Sequence, residues 1–118
     1  MRDFYDDERR IKGIANYVTA LVFLGTKVGK KSRYKVKYFT GVRTLGHLRL
    51  KEDKTEPFII SFHVSEGKAK LVLVNENGIQ TLVENHFEGE KQVFLPKGKT
   101  RIRLVGSHAF FELSLERK

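Results

Sequence analysis

The fold is decided by residues 95–116, which read LPKGKTRIRLVGSHAFFELSLE. Apolar and polar side chains alternate over residues 100–105 and again over residues 109–116, which is the pattern of a half-buried β-strand. Gly106 and Ser107 separate the two runs and suit a two-residue type II′ turn, because glycine readily adopts the positive φ of the first turn position. The sequence therefore predicts a closing β-hairpin, against which the rest of the chain is built.

The predicted hairpin has one register that satisfies both of its faces. The expected pairs are Ile102 with Phe111 and Leu104 with Ala109 on the buried face, and Arg101 with Glu112 and Lys97 with Glu116 on the exposed face. Opposite charges that face each other across two strands stabilise the pairing. We therefore interpret the hairpin as scaffold and look for recognition elsewhere in the chain.

Upstream of the hairpin, the two-residue period continues back to Tyr34. The expected strands are Tyr34–Thr40, Leu45–Lys51, Pro57–Val64, Ala69–Asn75, Ile79–Glu84 and Lys91–Leu95. Turn residues separate them, and Asn77-Gly78 is the strongest hairpin signal. With the closing pair, eight strands spaced about ten residues apart predict an antiparallel β-sandwich of jelly-roll type. Residues 71–74 are apolar on both faces and predict a strand that is covered on both sides.

The N-terminal residues predict a helix from about Asp3 to Leu24. Apolar residues recur there at steps of three and four, at Phe4, Ile11, Ile14, Ala15, Val18, Leu21 and Val22. Asp3 suits the N-cap and Gly25 the C-terminal end. A helix through Ile14 followed by a strand is the second interpretation, since residues 17–24 are rich in strand-favouring side chains.

By length, the 118 residues form one domain. The predicted parts are an N-terminal helix over residues 1–25, a basic loop over residues 26–33 and the β-sandwich over residues 34–118. We expect the apolar stripe of the helix to pack across the sandwich. The alternatives are that the helix lies on a membrane, on a second copy of the chain or on another protein.

Positive charge is concentrated in the first half of the chain. The net charge is +9, and residues 9–51 hold twelve Lys or Arg and no Asp or Glu. Cations alternate with aromatic rings in the stretch that we predict to bind a partner, at Lys27, Lys30, Lys31, Arg33, Tyr34, Lys35, Lys37 and Phe39. Single-stranded nucleic-acid binders use this pattern. The predicted partner is anionic: a nucleic acid, an anionic membrane surface or an acidic protein. The alternative is an ordinary solvated strand with Tyr34, Val36 and Tyr38 in the core.

The composition excludes some classes of site. The chain has no cysteine, so disulfides and thiolate metal sites are absent. The N-terminus is acidic, without the basic region of a signal peptide, and the longest largely apolar run, Gly13–Gly25, is shorter than the ~20 residues of a spanning helix. These features favour a cytoplasmic location, with attachment to a membrane surface left open.

The motifs that suggest catalysis are incomplete. Residues 25–32 differ from a phosphate-binding loop, because three residues separate the glycines and Lys31 stands where Ser or Thr is needed. Ser61 and His63 share a strand face downstream of Asp53, but neither an exposed nucleophile turn nor an oxyanion hole accompanies them. The sequence therefore predicts a protein that is not an enzyme and has no cofactor. An enzyme whose site is not visible in the sequence is the third interpretation, and it would require a deep polar pocket with converging His and Glu side chains.

The four histidines, His47, His63, His86 and His108, lie on different predicted elements. None forms a ligand pair at helical or strand spacing. A metal site would need them to converge through the fold, together with acids such as Glu84 or Glu88. The sequence predicts no metal site.

Three stretches, residues 38–41, 65–74 and 98–106, carry a family resemblance. Their order resembles small uncharacterised bacterial β-sandwich domains, and the closing pattern is similar to the last strands of galactose-binding-like and carbohydrate-binding modules. The resemblance covers about residues 34–117 and implies a jelly-roll fold with a binding or accessory role. It makes carbohydrate binding the alternative function. No site residue follows from it, because the chain lacks a sugar-stacking Trp and an acidic calcium-ligand cluster.

Overall fold

The computed structural model describes residues 5–13, 16–20 and 22–117. These residues form one short helix, α1 (Glu8–Lys12), and seven strands: β1 (Tyr17–Thr19), β2 (Val22–Val28), β3 (Lys31–Leu50), β4 (Lys54–Asn75), β5 (Gly78–Glu84), β6 (His86–Leu95) and β7 (Gly98–Arg117). All the strand pairs are antiparallel. The hairpin predicted from Asn77-Gly78 joins β4 to β5, but its turn residues are Glu76 and Asn77, since β5 begins at Gly78.

Three long strands lie side by side in the order β3, β7, β4 and run through both layers of a sandwich. The first half-sheet has the order β2, residues 31–39 of β3, residues 109–117 of β7, residues 54–64 of β4, and β6. The second half-sheet has the order β1, residues 40–50 of β3, residues 98–106 of β7, residues 68–75 of β4, and β5. The molecule is thus a sheet folded once along a line that crosses every long strand.

Unusual backbone angles mark this bend line. Positive φ occurs at Tyr38, Gly41, Gly67, Asn85 and His108, with values of 56°, 135°, 71°, 60° and 49°. Asn85 separates β5 from β6 and stabilises the bend of β4, because it forms hydrogen bonds with residues of β4 before and after the bend. Its backbone N–H donates to the Ala69 carbonyl at 2.8 Å and its carbonyl accepts from the Val64 N–H at 3.0 Å. Its side-chain oxygen accepts from the Ala69 N–H at 3.1 Å.

The two half-sheets enclose one hydrophobic core. Phe58, Ile60 and Phe62 from the first half-sheet and Leu71 and Leu104 from the second are fully buried in it. Burying side chains of this size contributes about 1.5–3 kcal/mol each. The predicted antiparallel β-sandwich of jelly-roll type is confirmed.

A second apolar cluster lies on the outside of the second half-sheet. Tyr5 and Ile11 pack there against Val42, Val72 and Val105, and all five are buried. The N-terminal segment therefore covers this face, and the prediction that residues 71–74 are covered on both sides is confirmed.

Arg101 fixes the end of α1 on this face. Its guanidinium donates to the carbonyl oxygens of Lys12 at 2.5 Å and Gly13 at 2.7 Å. The last carbonyls of a helix have no intrahelical donor, so this contact satisfies them. The predicted hairpin required Arg101 to pair with Glu112. In the structure, Arg101 contacts the end of α1 in place of Glu112.

The predicted helix from Asp3 to Leu24 is wrong over most of its length. Among the described residues the helix covers Glu8–Lys12 alone, and Tyr17–Thr19 and Val22–Val28 are strands. The β-branched and aromatic side chains of this region favour a strand, and pairing with β3 supplies the hydrogen bonds. The second interpretation, a short helix followed by a strand, is the closer one. The predicted cap Asp3 and the stripe residues Phe4, Ile14, Ala15 and Leu21 lie outside the described residues.

The predicted closing hairpin is also wrong. β7 continues through Gly106 and Ser107 without a turn, and Ile102 pairs with Gly46 on β3 and Leu73 on β4. The chain bends at this point where a reversal was expected. Gly106 is needed for packing and not for a turn, because a Cβ at this position would lie 2.5 Å from the Phe39 ring.

The other predicted breaks are shorter than expected. The basic loop predicted over residues 26–33 is the end of β2, a two-residue turn and the start of β3. The loop expected over residues 85–90 reduces to Asn85 alone, because β6 begins at His86. Six of the expected strands are joined in pairs, and each pair forms one long strand, β3, β4 or β7. Where a break was expected, the long strand bends and continues.

Candidate functional site

The outer face of the first half-sheet is the candidate site, and we call it the open face. The N-terminal segment covers the outside of the second half-sheet, but within the described ranges nothing packs on the open face. Its central row crosses the sheet through Leu24, Lys35, Glu112, His63 and His86, which occupy paired positions on β2, β3, β7, β4 and β6. All five side chains are exposed.

Four of the predicted binding residues project from β3 onto this face. They are Lys31, Arg33, Lys35 and Lys37, which we call the basic ladder. Side chains two apart on a strand are roughly 6.7 Å apart, so the ladder spans about 20 Å. Among the described residues only Lys35 of the ladder forms an ion pair, with its Nζ 3.9 Å from Glu112 Oε1. Both side chains are well exposed, so this pair adds little stability.

The remaining predicted residues lie elsewhere. Lys27 lies near the end of β2 and Lys30 in the β2–β3 turn. With Tyr34, they line a cavity of 140 Å³ between the half-sheets at the end opposite the bend. The half-buried Tyr34 ring meets Phe23 edge-on, with 6.0 Å between the ring centroids. Phe39 is 0% exposed, so it is part of the core and not of a binding surface.

A shift of register within β3 explains why Phe39 is buried, whereas the residues of the basic ladder are on the open face. The pairing of β3 with β7 is irregular between Val36 and Phe39, and Tyr38 has a φ of 56°. The shift turns Phe39 inward and Tyr38 outward, where Tyr38 is 40% exposed. Sequence reasoning assigned Tyr38 to the core in the alternative interpretation, because a regular two-residue period places it with Val36.

Two depressions on the open face share the side chains of Lys35, His63 and Glu112. One has a volume of 380 Å³ and is also lined by Arg33 and Ser61. The other has a volume of 360 Å³ and is also lined by Lys37, His86 and Phe110. Cations and hydrogen-bonding groups therefore surround both depressions.

Aromatic rings cluster at the bend-line end of the open face. The Tyr38 ring meets His108 and Phe110 edge-on, with centroid distances of 5.5 Å and 6.1 Å. Lys37 precedes Tyr38 in the chain, so the basic ladder ends at this cluster. Cations and aromatic rings therefore lie together at this end of the open face, but the rings are Tyr38 and Phe110 and not the predicted Tyr34 and Phe39.

The other basic residues of the 9–51 window are spread over the molecule. Arg9 and Lys12 belong to the N-terminal segment over the second half-sheet, and Arg49 lies near the far end of β3. The Arg43 guanidinium lies 4.0 Å from the centroid of the Phe23 ring. The positive charge therefore forms no single patch, and the basic ladder is one part of it.

His63 and His86 converge, although no two histidines have the spacing of a ligand pair along the chain. The register of β4 with β6 places them directly opposite each other, and their Nδ1 atoms are 3.1 Å apart. His63 Nε2 lies 3.2 Å from a carboxylate oxygen of Glu88. In the described part of the chain, three or more metal-ligating side chains do not converge at any point.

The suspected triad residues do not come together. Ser61 and His63 both project onto the open face, as predicted. Asp53 lies in the β3–β4 turn, where its carboxylate accepts a hydrogen bond of 2.8 Å from the Lys97 N–H. Asp53 therefore stabilises a turn and cannot orient His63.

Glu56 is a buried carboxylate at the open end of the sandwich. Arg117 Nε donates to its Oε1 at 2.5 Å, and Lys54 Nζ lies 3.3 Å from its Oε2. The hydrogen bond from Arg117 outweighs burial and lowers the pKa of Glu56 below its ordinary value. An ionised, paired carboxylate of this kind serves as a structural clamp between β4 and β7.

The described residues contain no helix of the length and apolarity that crossing a membrane requires.

Comparison with known proteins gives a distant likeness of fold. No family model and no curated protein matches the chain. A mutant of the family 29 carbohydrate-binding module CBM29-2 is similar with a TM-score of 0.42 and 11% identity, over 92% of this chain and 78% of that one. A cupin domain from Bordetella pertussis Tohama I has a TM-score of 0.33 and 13% identity, over 87% and 93%. CENP-C of Drosophila melanogaster, bound to CAL1, has a TM-score of 0.31 and 9% identity, over 86% and 85%.

The resemblance to carbohydrate-binding and other β-sandwich domains that the sequence indicated is thus confirmed. At these values it is a likeness of strand arrangement alone.

Proposed function

We propose that the chain is a non-enzymatic binding domain whose open face holds an anionic partner, in first place a single-stranded nucleic acid. The observation that carries the proposal is the basic ladder, which leads along an uncovered face to the exposed ring of Tyr38. Domains that bind single strands combine cations that track the phosphates with rings on which bases stack. An anionic membrane surface and an acidic protein are the other partners that the ladder would suit.

The charges on the neighbouring strands support one position for the proposed polyanion. On the β7 side, the ladder is flanked by Glu112 and Glu116, which repel phosphate. On the β2 side it is flanked by the uncharged Leu24 and Thr26. The phosphates are therefore expected between β2 and β3, on the side of the 380 Å³ depression that Leu24, Thr26 and Arg33 line, and away from Glu112 on its other side.

Carbohydrate binding is the second candidate, and a different surface favours it. A groove of 210 Å³ at the β4–β5 turn is lined by the carboxamides of Asn75, Asn77 and Gln80 and by Phe94. Phe94 is 46% exposed. Amide groups that bind hydroxyls beside an exposed ring suit a neutral sugar, and such binding would not depend on salt.

The test is the anisotropy of a labelled oligothymidylate titrated with the chain at increasing salt. If three or four phosphates are neutralised, the logarithm of the binding constant should fall against the logarithm of salt with a slope of about −2 to −3. Replacing both Arg33 and Lys35 by Ala should weaken binding at least tenfold at low salt and flatten this slope. Tyr38→Ala should weaken binding by about 1–3 kcal/mol without changing the slope.

Lys97→Ala is the matched control, because Lys97 is exposed but lies away from the open face. An oligonucleotide that fails to bind at low salt, or that loses as much affinity with Lys97→Ala as with the ladder variant, would exclude the nucleic-acid proposal. Binding to anionic vesicles alone would identify a membrane surface as the partner. Shifts of Phe94 resonances with neutral oligosaccharides would favour the carbohydrate candidate.

A further inference from the structure

We propose that His63 and His86 form a binding site for a late divalent transition-metal ion, such as Zn²⁺, Ni²⁺ or Cu²⁺. The site lies on the open face, at the edge formed by β4 and β6. It rests on side chains outside the basic ladder and does not depend on the proposed function.

The distance between the two rings is the first argument. The Nδ1 atoms of His63 and His86 are 3.1 Å apart, and the ring centroids are 4.6 Å apart with an angle of 64° between the ring planes. Imidazole nitrogens bind Zn²⁺ at ~2.0–2.1 Å, so two of them at square or tetrahedral angles lie roughly 2.9–3.4 Å apart. The observed distance falls within this range, so an ion fits between the rings with little movement.

The second argument is the orientation of His63. Its Nε2 lies 3.2 Å from Glu88 Oε2, and Glu88 is the next outward residue after His86 on β6. A carboxylate that accepts from Nε2–H places the proton there and leaves the lone pair of Nδ1 directed at His86. Carboxylates hold metal-binding histidines in this way in many proteins.

The proton balance is simple when both rings are neutral. Without an ion, His86 Nδ1–H donates to the lone pair of His63 Nδ1. When an ion binds both Nδ1 atoms, the proton of His86 moves through solvent to Nε2 of the same ring. His63 keeps its proton on Nε2, against Glu88.

The donor set determines which ions are expected. Imidazole nitrogens suit Zn²⁺, Cu²⁺ and Ni²⁺, whereas Mg²⁺ and Ca²⁺ prefer oxygen ligands. Affinity should be greatest for Cu²⁺, following the general order for divalent ions. Since the protein supplies two ligands, water occupies the remaining positions. His63 and His86 also border the depression of 360 Å³, so these positions are accessible to a ligand there.

The experiment is calorimetric titration of the untagged chain with ZnCl₂, NiCl₂, CuCl₂ and MgCl₂, followed by NMR of the imidazole nitrogens. We expect one ion per chain for the first three salts and no binding of Mg²⁺. Zn²⁺ should shift the Nδ1 resonances of both His63 and His86. His63→Gln and His86→Gln should each weaken Zn²⁺ binding at least tenfold, and Glu88→Gln should weaken it by about tenfold through loss of the orienting contact.

His47→Gln and His108→Gln are the matched controls, since each removes a histidine that lies elsewhere on the fold. Three results would overturn the proposal. They are the absence of saturable Zn²⁺ binding, Zn²⁺ binding by the His63 and His86 variants that equals that of the wild type, and Zn²⁺-induced shifts at other histidines. In each case the pair would be a hydrogen bond between two rings and nothing more. His63 and His86 are exposed, so these variants should fold.

Discussion

Glu56 joins the neighbouring strands β4 and β7 through an ion pair in which its own carboxylate is buried. Its side chain is 3% exposed and accepts from Arg117, which is 28% exposed. The pKa of Glu56 in the folded chain is lowered from an ordinary value of 4.5, chiefly by the hydrogen bond from Arg117. A lowered pKa means that the pair stabilises the fold above about pH 4.5, and that this stabilisation is lost as pH falls through the folded pKa.

Glu56→Gln should therefore lower the free energy of unfolding by about 1–3 kcal/mol at pH 7, because Arg117 keeps its charge without a partner. The effect is smaller than for a fully buried pair, since Arg117 reaches water. At a pH below the folded pKa, the wild type and the variant should converge, because Glu56 is then protonated. Urea denaturation at the two pH values measures this, with the exposed Glu52→Gln as control. An equal loss at both pH values would show that packing, not charge, stabilises the site.

The bend line is the feature of the strands that determines the architecture. Gly67 lies on it with a φ of 71°, and a Cβ at this position would come 2.1 Å from the carbonyl oxygen of His108. Because that neighbour is backbone, it cannot move aside without shifting β7. The bends of β4 and β7 are therefore packed directly against each other.

Gly67→Ala should destabilise the fold by at least about 2 kcal/mol, since it adds both a clash and a strained φ. Gly46→Ala is the matched control, because an added Cβ there meets nothing within 4 Å in the described structure and its φ is not positive. The control should change stability by less than about 0.5 kcal/mol. Thermal and urea unfolding of the two variants measure the difference. If the two variants behave alike, the bend is not fixed at Gly67.

The period of the sequence predicted most of the extended segments from Tyr34 onward, but it missed β1 and β2, which were assigned to the helix and the basic loop, and it did not predict the bends. Alternation of polar and apolar residues shows that a segment is extended, but it looks the same whether a chain bends or reverses at a glycine. The alternation therefore predicts a turn with a positive φ at Gly106. In the structure the positive φ of this part of β7 is at His108, where the strand bends without reversing. The same limitation misplaced Phe39, because the irregularity after Val36 depends on pairing with β7. The convergence of His63 with His86 likewise follows from strand order, which the sequence does not encode locally.

The outer faces of the two half-sheets differ in whether the N-terminal segment packs on them. The N-terminal segment covers the second half-sheet, where Tyr5 interacts with Lys68 and Lys70, both 4.4 Å from its ring centroid. Among the described residues nothing covers the first half-sheet, which carries charge in stripes, with cations on β3 and glutamates on β7. A domain with one covered face and one open face has a single sheet surface left for a partner, which is why we place recognition there.

The stripe of glutamates beside the ladder leads to the last prediction. Glu112 is paired across the strands with Lys35, and its side chain is 69% exposed. A like charge about 7 Å from a bound phosphate costs roughly 0.6 kcal/mol in water, so Glu112→Gln should strengthen oligothymidylate binding about threefold at low salt. The gain should disappear at high salt, where screening shortens the range of the repulsion to ~3 Å near 1 M. Anisotropy titrations at the two salt concentrations measure it, with Glu52→Gln as the charge-matched control. An unchanged affinity would place the polyanion away from the ladder, because a charge change beside the binding groove cannot be neutral at low salt.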